Sequence, residues 1–133
     1  MATNTSPSPH GDASHKNQLA QSLAKQIDAL LRELVAINLL TEQDQRILSL
    51  RMGLKDGKCY TLAEIAALLH KSPELIRSHQ YFAMRQHISN PQFFKLLASY
   101  AQVVKLPRGL AYYLQRYSKP EDLSIPIQEW DFD

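Results

Sequence analysis

The segment from Thr61 to His87 constrains the fold of this 133-residue chain most strongly, because it carries two successive helix-start signals. Thr61 is a candidate N-cap, and Glu64 completes a capping box ahead of apolar residues at helical spacing. The periodic pattern breaks at His70. Ser72 then provides a second cap, followed by a proline at the first helical position. The sequence therefore predicts two short helices joined by a tight turn.

The second of these helices is predicted to have an apolar inner side and a mixed polar outer side. The inward residues are Ile76, Ala83 and Met84. Two capped helices with this pattern form a helix-turn-helix, whose second helix ordinarily lies in the major groove of DNA. We therefore expect DNA binding. The candidate DNA-binding residues are Glu74, Arg77, Ser78, Tyr81, Arg85, Arg51 and Lys71, with Arg51 and Arg85 expected near phosphates.

A plainer interpretation of these residues stays open. The two helices can pack together without contacting DNA. Arg77 and Arg85 can be solvated or can contact the sugar-phosphate backbone instead of bases, since most protein–DNA hydrogen bonds go to the backbone. Glu74 can accept a hydrogen bond from cytosine, but in a first helical turn it also stabilises the helix dipole.

Composition limits the class of protein. Hydrophobic residues make up 44% of the chain and only 4 residues are glycine, which favours an all-α domain over a turn-rich β fold. No apolar run approaches the roughly 18 residues that a membrane span needs, and no signal segment is recognisable at the N-terminus. The single cysteine, Cys59, excludes an internal disulfide and is typical of a reducing compartment. We expect a cytoplasmic, nucleoid-associated protein.

Charge is unevenly distributed along the chain. The net charge is only +2, yet residues 85–119 contain six Lys and Arg residues and no Asp or Glu. Residues 121–133 contain five acidic residues and no basic one. A basic module therefore precedes an acidic tail, and the small net charge of the chain is the sum of two oppositely charged parts.

The chain divides into five predicted parts around an all-α core. They are a disordered N-terminal arm (1–16), an amphipathic helix (17–39), the helix-turn-helix domain (40–90), a basic and aromatic helical extension (91–119) and an acidic tail (120–133). The amphipathic helix has three interpretations. Packing against the helix-turn-helix core is the plainest, dimerisation through its Leu and Ile stripe is the second, and docking on a polymerase or sigma surface is the third.

The C-terminal part offers candidate protein contacts. We expect the tyrosines at 100, 112, 113 and 117 to extend the core and some neighbouring basic residues to contact phosphates. Trp130 and Phe132 are large aromatics in an acidic segment, and Phe82 interrupts the polar side of the second helix. These three are the candidate partner-binding residues. The tail is expected either to dock on a partner or to fold back and restrain DNA binding.

Residues 40–87 resemble region four of the bacterial sigma factors, the domain that recognises the promoter −35 element. The similarity lies in an ordered set of motifs: Leu40-Thr41, Arg51-Met52-Gly53-Leu54, Asp56-Gly57, Thr61-Leu62-Ala63-Glu64-Ile65-Ala66, Ser72-Pro73-Glu74-Leu75-Ile76-Arg77 and Ala83-Met84-Arg85. About 50 of the 133 residues take part. The resemblance implies a module that contacts promoter DNA and docks by an apolar surface on the flap tip of the RNA polymerase β subunit.

Several positions depart from the pattern of the family. Pro73 stands where housekeeping sigma factors commonly have Arg, Ser78 where they have Gln, and Phe82 where Lys is common. His79 and His87 occupy positions that are often Ile and Leu. Because Arg reads guanine and Gln reads adenine, the resemblance implies a retained fold with altered or weakened base readout.

Two functions follow as expectations. Nothing upstream of Leu40 is long enough for the domain that melts the −10 element, so we expect a stand-alone module that acts with RNA polymerase or a sigma factor. It would be a DNA-binding transcription regulator without a membrane partner. Homodimerisation is an additional hypothesis. The alternative is a protein-interaction adaptor that binds polymerase or sigma without reading DNA. Catalytic, metal-ligand and cofactor motifs are missing from the sequence, so we expect no enzyme and no cofactor.

Overall fold

Six α-helices make up the described part of the chain. The computed structural model describes residues 9–118, with side-chain surroundings for residues 15–116. The helices are α1 (Pro9–Ala36), α2 (Glu42–Met52), α3 (Leu62–Leu69), α4 (Pro73–His87), α5 (Pro91–Ala101) and α6 (Arg108–Ser118). No strand occurs within residues 9–118, and the predicted all-α class is confirmed.

The boundaries of α2 follow from its end residues. Thr41 caps the helix, and its Oγ1 accepts a hydrogen bond of 3.0 Å from the backbone N–H of Asp44. The helix ends at Gly53, which adopts the left-handed conformation with φ of 69°. A Cβ at this position would lie 3.1 Å from the backbone of Gly57 and Lys58. Only glycine therefore provides both the backbone angle and the space for the following loop.

The ends of α3 and α4 confirm the two predicted helix starts. Thr61 Oγ1 accepts from the N–H of Glu64 at 3.1 Å, and Glu64 Oε1 accepts from the N–H of Thr61 at 2.9 Å. Ser72 Oγ accepts from the N–H of Leu75 at 3.1 Å. Between the helices, His70 has a φ of 57° and turns the chain. A fixed turn therefore sets the angle between α3 and α4.

Helix α1 differs in length from its prediction. It begins at Pro9, whereas the apolar stripe indicated a start at Asn17 with disorder before it. Pro9 is tolerated because the first turn of a helix has no intrahelical partner for its N–H group. The remainder of the predicted disordered arm, residues 1–8, lies outside the described residues, as does the predicted acidic tail.

The apolar stripe of α1 packs inside the molecule. Helix α1 lies against α5 and α2, and its buried residues are Leu23, Ala24, Ile27, Leu30, Leu31 and Leu34. This is the plainest of the three interpretations of the helix. Leu19 and Ile37, at the two ends of the stripe, are 45% and 61% exposed.

The C-terminal helices complete the same core. Tyr100, Tyr112 and Tyr113 are each at most 3% exposed, which confirms for these three the prediction that the tyrosines extend the core, while the side chain of Tyr117 lies outside the described residues. The Tyr100 hydroxyl donates to the carbonyl of Met52 at 2.8 Å, and burial raises the pKa of Tyr100 to about 12. Within residues 9–118 no helix is long and apolar enough to span a bilayer.

Candidate nucleic-acid interface

Helix α4 presents one side to the interior and the opposite side to solvent. Its buried residues are Ile76, Gln80, Ala83, Met84 and His87. On the other side Glu74, Ser78, Phe82 and Arg85 are exposed, and Arg77 and Tyr81 are half-buried. The positions on this outer face recur at intervals of three and four residues, so they form a continuous stripe along the helix. We call the residues Glu74, Arg77, Ser78, Tyr81, Phe82 and Arg85 the outer face of α4.

A buried polar cluster holds α4 against α2. Arg51, on α2, is 1% exposed; its Nε donates to Gln80 Oε1 at 2.6 Å and its Nη1 donates to the carbonyl of Tyr60 at 3.1 Å. Gln80 is fully buried. The expectation that Arg51 lies near DNA phosphates is therefore wrong for this structure, because its guanidinium is enclosed between helices. Arg51 instead fixes the position of the helix that carries the outer face.

Two histidines add further contacts between α4 and its neighbours. His79 Nδ1 lies 2.8 Å from Asp44 Oδ1 on α2, and His87 Nε2 lies 2.9 Å from the carbonyl oxygen of Leu39. In the sequence, both histidines stand out only because they occupy positions that are often Ile or Leu in sigma factor region four. The structure gives each a polar partner, which the buried His87 needs in place of water, whereas His79 stays partly exposed. These positioning residues were not predictable from helical spacing, because their partners are 35 and 48 residues away.

The middle of the outer face combines aromatic and cationic groups. Arg85 Nη1 donates to the Tyr81 hydroxyl one helical turn earlier, and its guanidinium lies 5.8 Å from the Tyr81 ring centroid. The Tyr81 and Phe82 rings meet edge to face with centroids 5.0 Å apart. Phe82 remains 65% exposed, and Leu75, two helical turns earlier on the same side of α4, is 42% exposed. The face therefore has a polar, positively charged flank and an apolar flank.

Most of the predicted DNA-binding residues lie together. Glu74, Arg77, Ser78, Tyr81 and Arg85 share the outer face, and the exposed Lys71 precedes the N-cap of α4. The N-terminal turn of a helix carries partial positive charge and attracts phosphate groups. The predicted partner-binding residue Phe82 lies on the same face. Trp130 and Phe132 lie outside the described residues.

The described residues bring no metal-ligand cluster to the outer face of α4. Within the described residues, no group of three or more His, Cys, Asp or Glu side chains is arranged to hold a metal ion. Cys59 is partly buried, with its Sγ 4.0 Å from the carbonyl oxygen of Lys105, and burial raises the pKa of its thiol. A raised thiol pKa lowers the fraction of reactive thiolate at neutral pH. The outer face of α4 presents the Glu74 carboxylate, the Arg85 guanidinium and the Phe82 ring to solvent.

Comparisons with known proteins match this region of the chain. The family profile described as Sigma-70, region 4 matches residues 36–86, which include α2, α3 and nearly all of α4. A segment of 47 residues is 47% identical to the RNA polymerase sigma factor SigA4 of Synechococcus elongatus. That match covers 35% of this chain and 15% of the length of the sigma factor. No solved structure matches the chain significantly.

Proposed function

Because residues 36–86 form a sigma-70 region 4-like helix-turn-helix domain, a non-enzymatic DNA-binding fold of transcription proteins, we propose that this protein is a transcription regulator acting with bacterial RNA polymerase or a sigma factor. Its partners are promoter DNA and either the flap of the polymerase β subunit or a sigma factor. Its place of action is the cytoplasm, at the nucleoid. Homodimerisation remains a separate hypothesis.

One observation carries the DNA-binding part of this proposal: α4 is held on its inner side and accessible on its outer side. Ile76 is fully buried while Ser78, two residues later, is exposed. A rigid helix with an accessible polar stripe can enter a major groove about 12 Å wide. The buried polar cluster of Arg51 and Gln80 supports the rigidity that such docking requires.

The identity of the outer-face residues favours contact with the DNA backbone over reading of many bases. Only Arg77 and Arg85 are cationic on this face, and Ser78 replaces the Gln that region four commonly uses to read adenine. Both arginines also make contacts within the protein. We propose that sequence preference is weak and that polymerase or sigma contributes to promoter selection.

Substitution of Arg77 tests the proposal. Binding of the full chain to labelled duplex DNA is expected to weaken in Arg77→Ala to a similar extent for all sequences, because a contact with a phosphate is lost. Lys25→Ala, at an exposed position on α1, is the matched control and should bind as the wild type does. Fluorescence anisotropy at fixed salt gives both affinities, and circular dichroism checks that the variants fold. Equal affinity for wild type and Arg77→Ala would remove α4 from the interface.

A second function is favoured by the exposed apolar flank of the outer face. Phe82, 65% exposed, and Leu75, 42% exposed, are unusual on a surface that contacts only DNA, and large apolar patches commonly bind proteins. In this alternative the protein is an adaptor that binds polymerase or sigma without reading DNA. Co-purification with RNA polymerase that survives Arg77→Ala but is lost in Phe82→Ala would support it. The reverse result would support the regulator.

A further inference from the structure

The outer face of α4 lies in the least acidic part of the chain. Between residues 65 and 120 the one carboxylate side chain is that of Glu74. The exposed cations of this stretch lie on α4, α5 and α6 and in the turns beside them, and they are Lys71, Arg85, Lys95, Lys105 and Arg108. A part of the molecule with this composition attracts an acidic segment.

Helix α6 brings the end of the described chain close to α4. It packs against α4 and α5, and Tyr81 of the outer face packs against the core cluster that includes Tyr112 of α6. Arg116 Nη1 donates to the Tyr112 hydroxyl, so a guanidinium lies two residues before the end of α6 at Ser118. With 11 residues, α6 is only about 16 Å long. The chain therefore leaves α6 beside a cation and no farther than one short helix length from its contact with α4.

The segment after α6 is long enough to cover α4. Fifteen residues, 119–133, follow α6 and lie outside the described residues. A fully extended segment of this length spans up to about 50 Å, whereas α4, with 15 residues, is about 22 Å long. Because the segment is covalently attached, its local concentration at α4 is in the millimolar range, so even a weak interaction is sufficient for docking.

The acidic tail (residues 120–133) has an ordered pattern of side chains. It contains five carboxylates and no cation. Its final residues alternate between acidic and aromatic side chains, in the order Glu129-Trp130-Asp131-Phe132-Asp133. In an extended segment successive side chains point to opposite sides. This order therefore presents carboxylates along one side and two large rings along the other.

The outer face of α4 has the corresponding division. On one flank the Arg85 guanidinium lies 5.8 Å from the Tyr81 ring centroid. On the other flank Phe82 is 65% exposed and Leu75 is 42% exposed. Carboxylates form strong charge-assisted hydrogen bonds with guanidinium groups, and aromatic rings pack edge to face on one another. An acidic segment with interleaved aromatics thus matches both flanks at once.

We propose that residues 121–133 dock on the outer face of α4 of the same molecule and compete there with DNA. Arg85 pairs with a carboxylate of the tail, and Trp130 and Phe132 pack on Phe82. The regulatory consequence rests on the proposed DNA-binding function, whereas the docking itself does not require it. The apparent DNA affinity of the protein is then set by the fraction of time for which the face is open.

The fluorescence of Trp130 tests the docking directly, because Trp130 is the only tryptophan of the chain. In the full chain we expect emission at a shorter wavelength, and weaker quenching by acrylamide, than in a synthetic peptide of residues 119–133. Both differences should be independent of protein concentration. Emission and quenching equal to those of the peptide would overturn the docking. Shielding that increases with protein concentration would assign the docking site to a second copy and overturn the intramolecular contact.

A double variant of the full chain locates the docking site. Phe82→Ala/Arg85→Gln removes one apolar and one cationic group at exposed positions, so Trp130 emission should move to the value of the peptide. Leu19→Ala/Lys25→Gln removes the same two kinds of group from exposed positions of α1 and is the matched control, which should behave as the wild type. Circular dichroism checks that both variants fold. Equal release of the tail in the two variants would show that the outer face is not its docking site.

The consequence for DNA is tested by a variant that keeps every charge. Trp130→Ala/Phe132→Ala should release the tail in the full chain. A tail docked for about 70–90% of the time leaves the face open for about 10–30%, so release should tighten binding to a labelled duplex about threefold to tenfold. A tail that repels DNA only through its carboxylates would leave the affinity unchanged, and that result would overturn the competition.

The outcomes separate this inference from the proposed function. If Trp130 is shielded and the Phe82→Ala/Arg85→Gln variant exposes it, but no variant binds DNA, the docking stands and the proposed function fails. If the wild type binds DNA and Arg77→Ala weakens that binding, but Trp130 is as accessible as in the peptide, the docking fails and the proposed function stands.

Discussion

The position of the outer face depends on single buried polar side chains. Arg51 lies 29 residues before Gln80 in sequence, yet their side chains meet at 2.6 Å between α2 and α4. A buried guanidinium is tolerated when its donors have acceptors in fixed positions, and here the carbonyl of Tyr60 supplies a second one. This contact connects the loop before α3, the helix α2 and the helix α4 at one point.

Replacing Arg51 should therefore destabilise the whole domain. In Arg51→Ala, Gln80 Oε1 and the carbonyl of Tyr60 lose their donor, and a cavity replaces the side chain. We expect the free energy of unfolding to fall by roughly 2–5 kcal/mol, measured by urea denaturation. Arg46→Ala, at an exposed position of the same helix, should change it by less than about 0.5 kcal/mol. Similar losses in both variants would contradict the role assigned to Arg51.

At the scale of an element, α3 depends on the charge state of its first turn. The Thr61 backbone N–H donates to the Glu64 carboxylate, and Lys58 Nζ lies 3.0 Å from Glu64 Oε2. The hydrogen bond from Thr61, followed by the one from Lys58, lowers the pKa of Glu64 below its ordinary 4.5. The hydroxyl of Tyr60, followed by the Lys58 backbone N–H, lowers the pKa of Asp56 in the preceding loop below 3.8.

This element should lose stability in acid. Because the folded-state pKa of Glu64 is lowered, its contribution is present above pH 4.5 and disappears as the pH falls through the lowered value. Glu64→Gln keeps an acceptor for the Thr61 N–H but does not titrate. Thermal melts from neutral pH to about pH 3 should show the wild type more stable at neutral pH, with the difference vanishing in acid. A constant difference over this range would exclude the carboxylate charge as its cause.

At the scale of the molecule, two hydrophobic clusters share the helices unequally. The smaller cluster joins α2, α3 and the start of α4, and consists of Ile47, Leu62, Ile65, Ala66 and Ile76. The larger cluster unites α1, α5 and α6 with parts of α2 and α4. The helix-turn-helix thus buries only a small core of its own, and the added helices supply most of the apolar burial.

A substitution in α1 should accordingly destabilise the whole molecule. Leu31 is fully buried, and Leu31→Ala should cost about 2–5 kcal/mol of unfolding free energy through lost burial and the cavity left behind. Leu19→Ala, on the same helix at a position 45% exposed, should cost less than about 1 kcal/mol. Chemical denaturation followed by circular dichroism measures both. A separate transition for α1 alone in Leu31→Ala would show that this helix is not part of the common core.

The acidic tail is also a question at the scale of the whole molecule. Residues 119–133 lie outside the described part, so its role stays a hypothesis drawn from five carboxylates and two large aromatics. Deletion of residues 121–133 should change DNA affinity or abolish a pull-down of polymerase or sigma. Replacing Trp130 and Phe132 by alanine keeps the charge and separates the aromatic contribution from the electrostatic one. If neither measurement changes on deletion, the tail serves only solubility.

The sequence was sufficient for most local features of this protein, although it did not predict the start of α1 at Pro9. The helix starts predicted at Thr61 and Ser72 depend on hydrogen bonds between residues three positions apart, so the local sequence is enough to predict them. The outer face of α4 follows from helical periodicity, which is also local. The match of residues 36–86 to sigma-70 region 4 agrees with the family that the ordered motifs indicated.

Only the tertiary structure decided which polar residues serve the fold and which remain exposed on the surface. Arg51 looked like a surface cation, but its acceptors lie 9 and 29 residues away and enclose it. Likewise, His79 and Asp44 meet at 2.8 Å although 35 residues separate them, and no periodic pattern relates the two. Periodicity specifies the side of a helix that faces inward, whereas the groups that meet there depend on how the helices pack.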